Sequence, residues 1–152
     1  MKLASQADRP RIAREDVTKL VAEWQYLQSL AEVLKQRIDI ATAAISEIEN
    51  TIQALEELGK AADEVEALIM LGSSAYARGK ITDTKKILVN IGSNIVVEKT
   101  VDEAKKYFES RADDLRRVIA ETQQQLASVS ARLAKLEPEL RKVAEAQASS
   151  GG

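Results

Sequence analysis

The residues with any promise of chemistry sit in the middle of the chain. Asp63, Glu64 and Glu66 gather three carboxylates in one short run. A hard-cation loop needs regularly spaced oxygens on a turn that wraps one ion. That spacing is missing, and the run reads as a solvated acidic linker. Gly72-Ser73 and Gly92-Ser93 are glycine-serine turns of the sort that can cradle phosphate. A phosphate loop continues through Lys-Ser/Thr into a helix. Neither turn does, so both read as hairpin turns. Ser73 or Ser93 as a nucleophile would need a base and oxyanion donors. The chain has no His and no Cys. The commonest general base and metal ligand are therefore missing, and thiolate metal sites and disulfides are excluded. The residues point to no enzyme, no cofactor and no metal.

With catalysis unsupported, the elements that carry these turns become the question. The 152 residues suit a single domain. Composition is 45% hydrophobic and 30% charged, with aromatics at 3%. Few rings beside abundant Ala, Glu, Lys, Leu and Arg favour long helices or coiled coil. A net charge of -2 gives no reason to expect nucleic acid or an anionic membrane as partner. The first ten residues lack the apolar core of a secretion signal, and no apolar run could span a bilayer. The expected compartment is the cytoplasm.

The first arm carries a seam at Ala13, Val17, Leu20, Trp24, Leu27, Ala31, Leu34, Ile38, Ala41, Ile45, Ile48, Ile52 and Leu55. Its alternating steps of three and four are the a/d pattern of a left-handed coiled coil. Pro10 suits a first helical turn, with Asp8 or Ser5 as caps upstream. Gly59 falls where the next seam residue would stand and predicts the stop. The N-terminal helix is thus expected within residues 1–58. The second arm, residues 100–147, opens with Thr100-Val-Asp-Glu103, a capping box. Its seam runs Val101, Lys105, Phe108, Ala112, Leu115, Ile119, Thr122, Leu126, Val129, Leu133, Leu136, Leu140, Val143. Lys105 and Thr122 are polar interruptions of the kind that set register. Pro138 falls at an outward position and predicts a kink or local break. The arms match in length, which predicts an antiparallel pair with Ala13 near Gln147 and Leu55 near Lys105. Residues 148–152 are expected to be a disordered tail.

Between the arms, residues 66–99 change character. Leu68-Ile-Met-Leu-Gly-Ser-Ser-Ala-Tyr-Ala-Arg-Gly79 is echoed twenty positions on by Leu88-Val-Asn-Ile-Gly-Ser-Asn-Ile-Val-Val-Glu-Lys99. Each copy reads as an apolar run, a glycine-serine turn and another run, hence two β-hairpins. Four short strands make a poor sheet alone, and open apolar edges recruit other strands. The hairpins are expected to complete a sheet or barrel with other chains. Leu68, Met70, Leu71, Tyr76, Ile87, Val89, Ile91, Ile95 and Val97 are the candidate assembly residues. The fold class is α+β: a long antiparallel two-helix coiled coil joined by two hairpins that enter an intersubunit β-barrel platform.

The stretches Leu71-Gly-Ser-Ser-Ala-Tyr-Ala-Arg-Gly-Lys-Ile81, Ile87-Leu-Val-Asn-Ile-Gly92 and Ile95-Val-Val-Glu-Lys-Thr-Val-Asp-Glu-Ala104 resemble the α-type subunits of archaeal prefoldin. The resemblance covers nearly the whole chain. The doubled hairpin discriminates, since β-type subunits of that family carry one. Met70 and Ser74 depart from it, where the family often has Pro and a second Gly. The resemblance implies an ATP-independent chaperone hexamer of two α-type and four β-type chains, with a second copy of this chain among its partners. It implies that open coiled-coil tips hold unfolded polypeptides and pass them to a group II chaperonin. Seam residues at a fraying tip are the natural contacts, since mobile apolar side chains bind without demanding a sequence and several arms add avidity. On this chain they are Ile12, Val17 and Leu20 on the first arm, and Leu133, Leu136, Leu140 and Val143 on the second. The other reading open at this point is a prefoldin-like structural protein whose hairpins pair copies of itself into homo-oligomers or filaments.

Overall fold

The computed structural model describes residues 14–150. The element order is α1 (Arg14–Lys60), β1 (Val65–Gly72), β2 (Ala75–Ile81), β3 (Lys86–Asn90), β4 (Val96–Thr100) and α2 (Val101–Ser150). The chain divides into two compact units, residues 1–39 with 120–152 and residues 40–119. Ser5, Asp8, Pro10, Ile12 and Ala13 lie outside the described residues.

In the first unit the two helices meet along the predicted seam. Ala31, Leu34 and Val129 are buried together, with Leu27, Leu30, Leu126 and Leu133 packed on them. Arg132 straps the pair from outside, its Nε donating to Glu23 Oε1 at 2.7 Å and its Nη2 to Glu23 Oε2 at 3.1 Å. This two-pronged geometry is what a planar guanidinium offers a carboxylate.

In the second unit Leu55, Val89 and Ala104 form the buried cluster, with Ile87, Val101, Tyr107 and Phe108 against it. Ala104 is wholly buried, and its small side chain leaves room for β3 to settle on the helices. The Tyr107 and Phe108 rings meet edge to face, 5.2 Å apart, and Lys99 Nζ lies 5.5 Å from the Tyr107 ring centre. The polar seam residue Lys105 reaches Glu56 on the facing helix at 3.2 Å, so its charge is satisfied across the interface. Thr122, the other polar interruption, is buried in the first unit. Ala31 with Val129, and Leu55 with Ala104, keep the expected antiparallel register within each unit.

The capping box forms as its spacing predicts. Glu103 N donates to Thr100 Oγ1 at 3.1 Å, and Thr100 N donates to Glu103 Oε2 at 3.4 Å. Three features differ from the sequence expectation. Helix α1 runs through Gly59 to Lys60. A Cβ at Gly59 would stand 3.2 Å from Val101 Cγ1, so this glycine serves a close approach to the start of α2 rather than a stop. Helix α2 continues through Pro138, whose ring points outward on an exposed face. It also continues to Ser150, past the predicted start of the tail, because Ala-Ser-Ser contains no helix breaker before the terminal glycines. Among the described residues no helix is long and apolar enough to cross a membrane.

Candidate functional site

The two hairpins are separate two-stranded antiparallel sheets. Val65 faces Ile81 and Met70 faces Tyr76 in the first; Lys86 faces Thr100 and Asn90 faces Val96 in the second. The sequence repeat is also a repeat of backbone. Gly72, Ser73 and Ser74 take φ of 125°, 45° and 63°, and Gly92, Ser93 and Asn94 take 115°, 50° and 58°. Two consecutive central residues with positive φ give the turn twist that matches right-handed strands. The leading glycine is required, because its φ is open to few other residues. In the second turn Ile95 N donates to Gly92 O and Ile91 N to Ile95 O, each at 2.9 Å. Asn90 Oδ1 accepts from Gly92 N, also at 2.9 Å. In the first, the register slips by one residue between Met70 and Gly72, a bulge beside the turn.

The linker between the hairpins is held by local polar contacts. Asp83 Oδ1 accepts from Lys85 N and Lys86 N at 3.0 and 3.2 Å. Those two backbone donors hold the Asp83 carboxyl below its ordinary pKa. Thr84 is buried, and its hydroxyl donates to Ala62 O at 3.4 Å, which ties the linker to the end of α1. The acidic run lies beside this tie, with Glu64 3.9 Å from Lys80.

The hairpins are not equivalent. One face of the second, through Val89 and Ile87, belongs to the chain's own core, and Val97 on that face is half-buried. These three candidate assembly residues are therefore engaged internally. Strand alternation turns their neighbours outward: Leu88 is 71% exposed and Val96 56%. Period-two alternation was the available signal for Leu88 and Val96, but it does not say which face meets the helices. The other candidates, Leu68, Met70, Leu71, Tyr76, Ile91 and Ile95, are all exposed. Ile69 and Ile81 join them on the first hairpin. Among the described residues, the buried cluster at this end takes no side chain from β1 or β2. Gly79 on β2 is covered by the Ile69 side chain, which any Cβ at that position would strike.

The candidate client residues divide differently. Val17, Leu20, Leu133 and Leu140 are half-buried. Leu136 has no exposed surface, and Val143 is buried. Leu133 packs on the Ala31–Leu34 cluster. Ile12 lies outside the described residues. Among the described residues, the large apolar side chains most open to water in this unit are Tyr26 and Val33 on the outer side of α1, which the seam reading passed over.

Comparison with known proteins agrees with this architecture. The family model described as "Prefoldin subunit" matches residues 27–146. The chain is 33% identical over 123 residues to "Prefoldin subunit alpha" of Thermofilum pendens, covering 81% of this chain and 95% of that one. It is 30% identical over 134 residues to "Prefoldin subunit alpha" of Pyrococcus horikoshii, covering 88% and 90%. Among solved structures, filamentous PFD from Methanocaldococcus jannaschii, determined by cryo-EM, shares the fold. The TM-score is 0.69 at 24% identity, covering 78% of this chain and 98% of that one. Two long helices, a doubled hairpin and the extent of these matches place the molecule among the chaperones: the chain belongs to the prefoldin family, as an archaeal α-type subunit.

Proposed function

We propose that this chain captures non-native polypeptides without ATP and delivers them to a group II chaperonin in the cytoplasm. It acts within a hexamer of two α-type and four β-type chains. The observation that carries this reading is the exposed apolar surface of both hairpins, from Leu68 to Tyr76 and at Leu88, Ile91, Ile95 and Val96. A two-stranded ribbon with such faces is marginal in water alone, and strands from other subunits are the natural cover. Covered in this way, the hairpins become a shared barrel platform and leave the helical arms free to hold clients. The half-buried seam residues Val17, Leu20, Leu133 and Leu140 are within reach of a client when the helix ends fray. Leu136 and Val143 become reachable only on wider opening. Weak contacts from several arms then sum to useful affinity.

The test reconstitutes the chain with a one-hairpin prefoldin subunit and measures suppression of aggregation of a chemically denatured protein without nucleotide. Replacing Val17, Leu20 and Leu140 together by Ser should abolish suppression while native mass spectrometry still records the hexamer. Unchanged suppression with those replacements sinks the tip assignment.

A further inference from the structure

Helix α1 carries a second column of side chains beside its seam. Tyr26, Leu30, Val33 and Arg37 follow one another in steps of four, three and four. That spacing sets them on one face of the helix. All four belong to the first unit. Tyr26 is 66% exposed and Val33 58%. Arg37 is exposed as well, and Leu30 is half-buried with its inner side on the Ala31–Leu34 cluster. Arg37 enters none of the ion pairs among the described residues. The facing helices spend their seam residues on each other and leave this column over. Alternating steps of four and three are the pattern that a further helix packs against.

We propose that this column docks on the same column of a second copy, the two α1 helices antiparallel, with Tyr26 of one against Arg37 of the other. In that register Leu30 meets Val33 and Val33 meets Leu30. The column is its own complement: a ring at one end, a cation at the other and two aliphatic side chains between. A twofold axis then makes each contact twice. Each guanidinium lies over a ring, a cation–π pairing that gives Arg37 the partner it lacks within its own chain. Parallel helices in register would instead set Arg37 against Arg37, two like charges with nothing between them. A different partner would need a ring or carboxylate for Arg37 and apolar side chains at the same spacing. A second copy brings both.

The surroundings of the column agree. Ser29 and Gln36 flank it, both exposed and uncharged, so no like charges oppose a second helix there. Four side chains from each helix fall short of the roughly 1,200 Å² buried in a stable complex, and the contact is a transient one. It goes beyond the proposed chaperone function and uses no strand of either hairpin.

A chain without cysteine suits disulfide trapping, which captures transient contacts. In the proposed register Ser29 of one copy lies beside Gln36 of the other, while two Ser29 residues stand about 10 Å apart along the axis. Full-length Ser29→Cys and Gln36→Cys chains are oxidised separately and as an equal mixture, with circular dichroism to confirm unchanged helix content. The mixture should give the mixed disulfide at about ten times the yield of either homodimer. Adding Arg37→Glu to both chains should cut that yield about tenfold, whereas Arg37→Lys, which keeps the cation, should retain most of it. An excess of Ser29→Cys homodimer would mean parallel pairing and overturn the proposal. A mixed yield near the roughly twofold excess of random collision would overturn it too. So would thiols that maleimide labels freely but that form no disulfide, or a yield indifferent to Arg37→Glu.

Discussion

At the scale of single residues, the turns show where this chain departs from its simplest backbone chemistry. Ser74 sits at φ 63°, a left-handed conformation in which a Cβ crowds the backbone. Asn94 holds the matching position at φ 58°, and asparagine tolerates that region better. Ser74→Gly should therefore raise the urea midpoint, by roughly 1 kcal/mol of stability. Asn94→Gly should gain less, and an equal or larger gain there would refute the strain argument. Glu23 offers a second test. Hydrogen bonds from Arg132 hold its pKa below the ordinary 4.5. A lowered carboxylate pKa means that the pair's contribution is present above the ordinary value and is lost as pH falls through the folded one. Acid should loosen the helix pair around Glu23, and Glu23→Gln should flatten that part of the ellipticity profile below about pH 4.5. Arg132 is exposed and Glu23 half-buried, so water reaches the pair and salt should weaken it as well.

At the scale of elements, the contrast lies between adjacent residues on β3. Val89 is buried against Leu55 and Ala104, whereas Leu88 points to solvent. Val89→Ala should cost about 1–2 kcal/mol in chemical denaturation of the chain. Leu88→Ala should stay within about 0.5 kcal/mol yet weaken association with partner chains. A reversed order would mean that the second hairpin docks by its other face. The strands, turns and capping box were legible because each is set by neighbouring residues: alternation, Gly-Ser placement, and Thr100 three positions before Glu103. Gly59 was misread for the same reason. Its local signature is that of a helix stop, and its actual role depends on Val101, far along the chain.

At the scale of the whole molecule, stability and assembly cannot be separated, because the apolar surface of the hairpins is left for other chains to cover. Adding a one-hairpin prefoldin subunit should raise the unfolding temperature of this chain, and the rise should grow with the logarithm of partner concentration. An unfolding temperature indifferent to the partner would show that the hairpins are not where it binds. Heptad spacing and the matched lengths of the two arms were enough to point to an antiparallel pair, since a continuous apolar seam must be covered and the other arm carries a complementary one. Composition alone made catalysis unsupported. Tertiary structure decided which side of each element does the covering. It turned Val89 inward and Leu88 outward, buried Leu136 while leaving Tyr26 exposed, and drew the buried cluster at the hairpin end from the second hairpin and the helices among the described residues. Periodicity specifies that an element has two faces; only the packing of distant residues chooses between them.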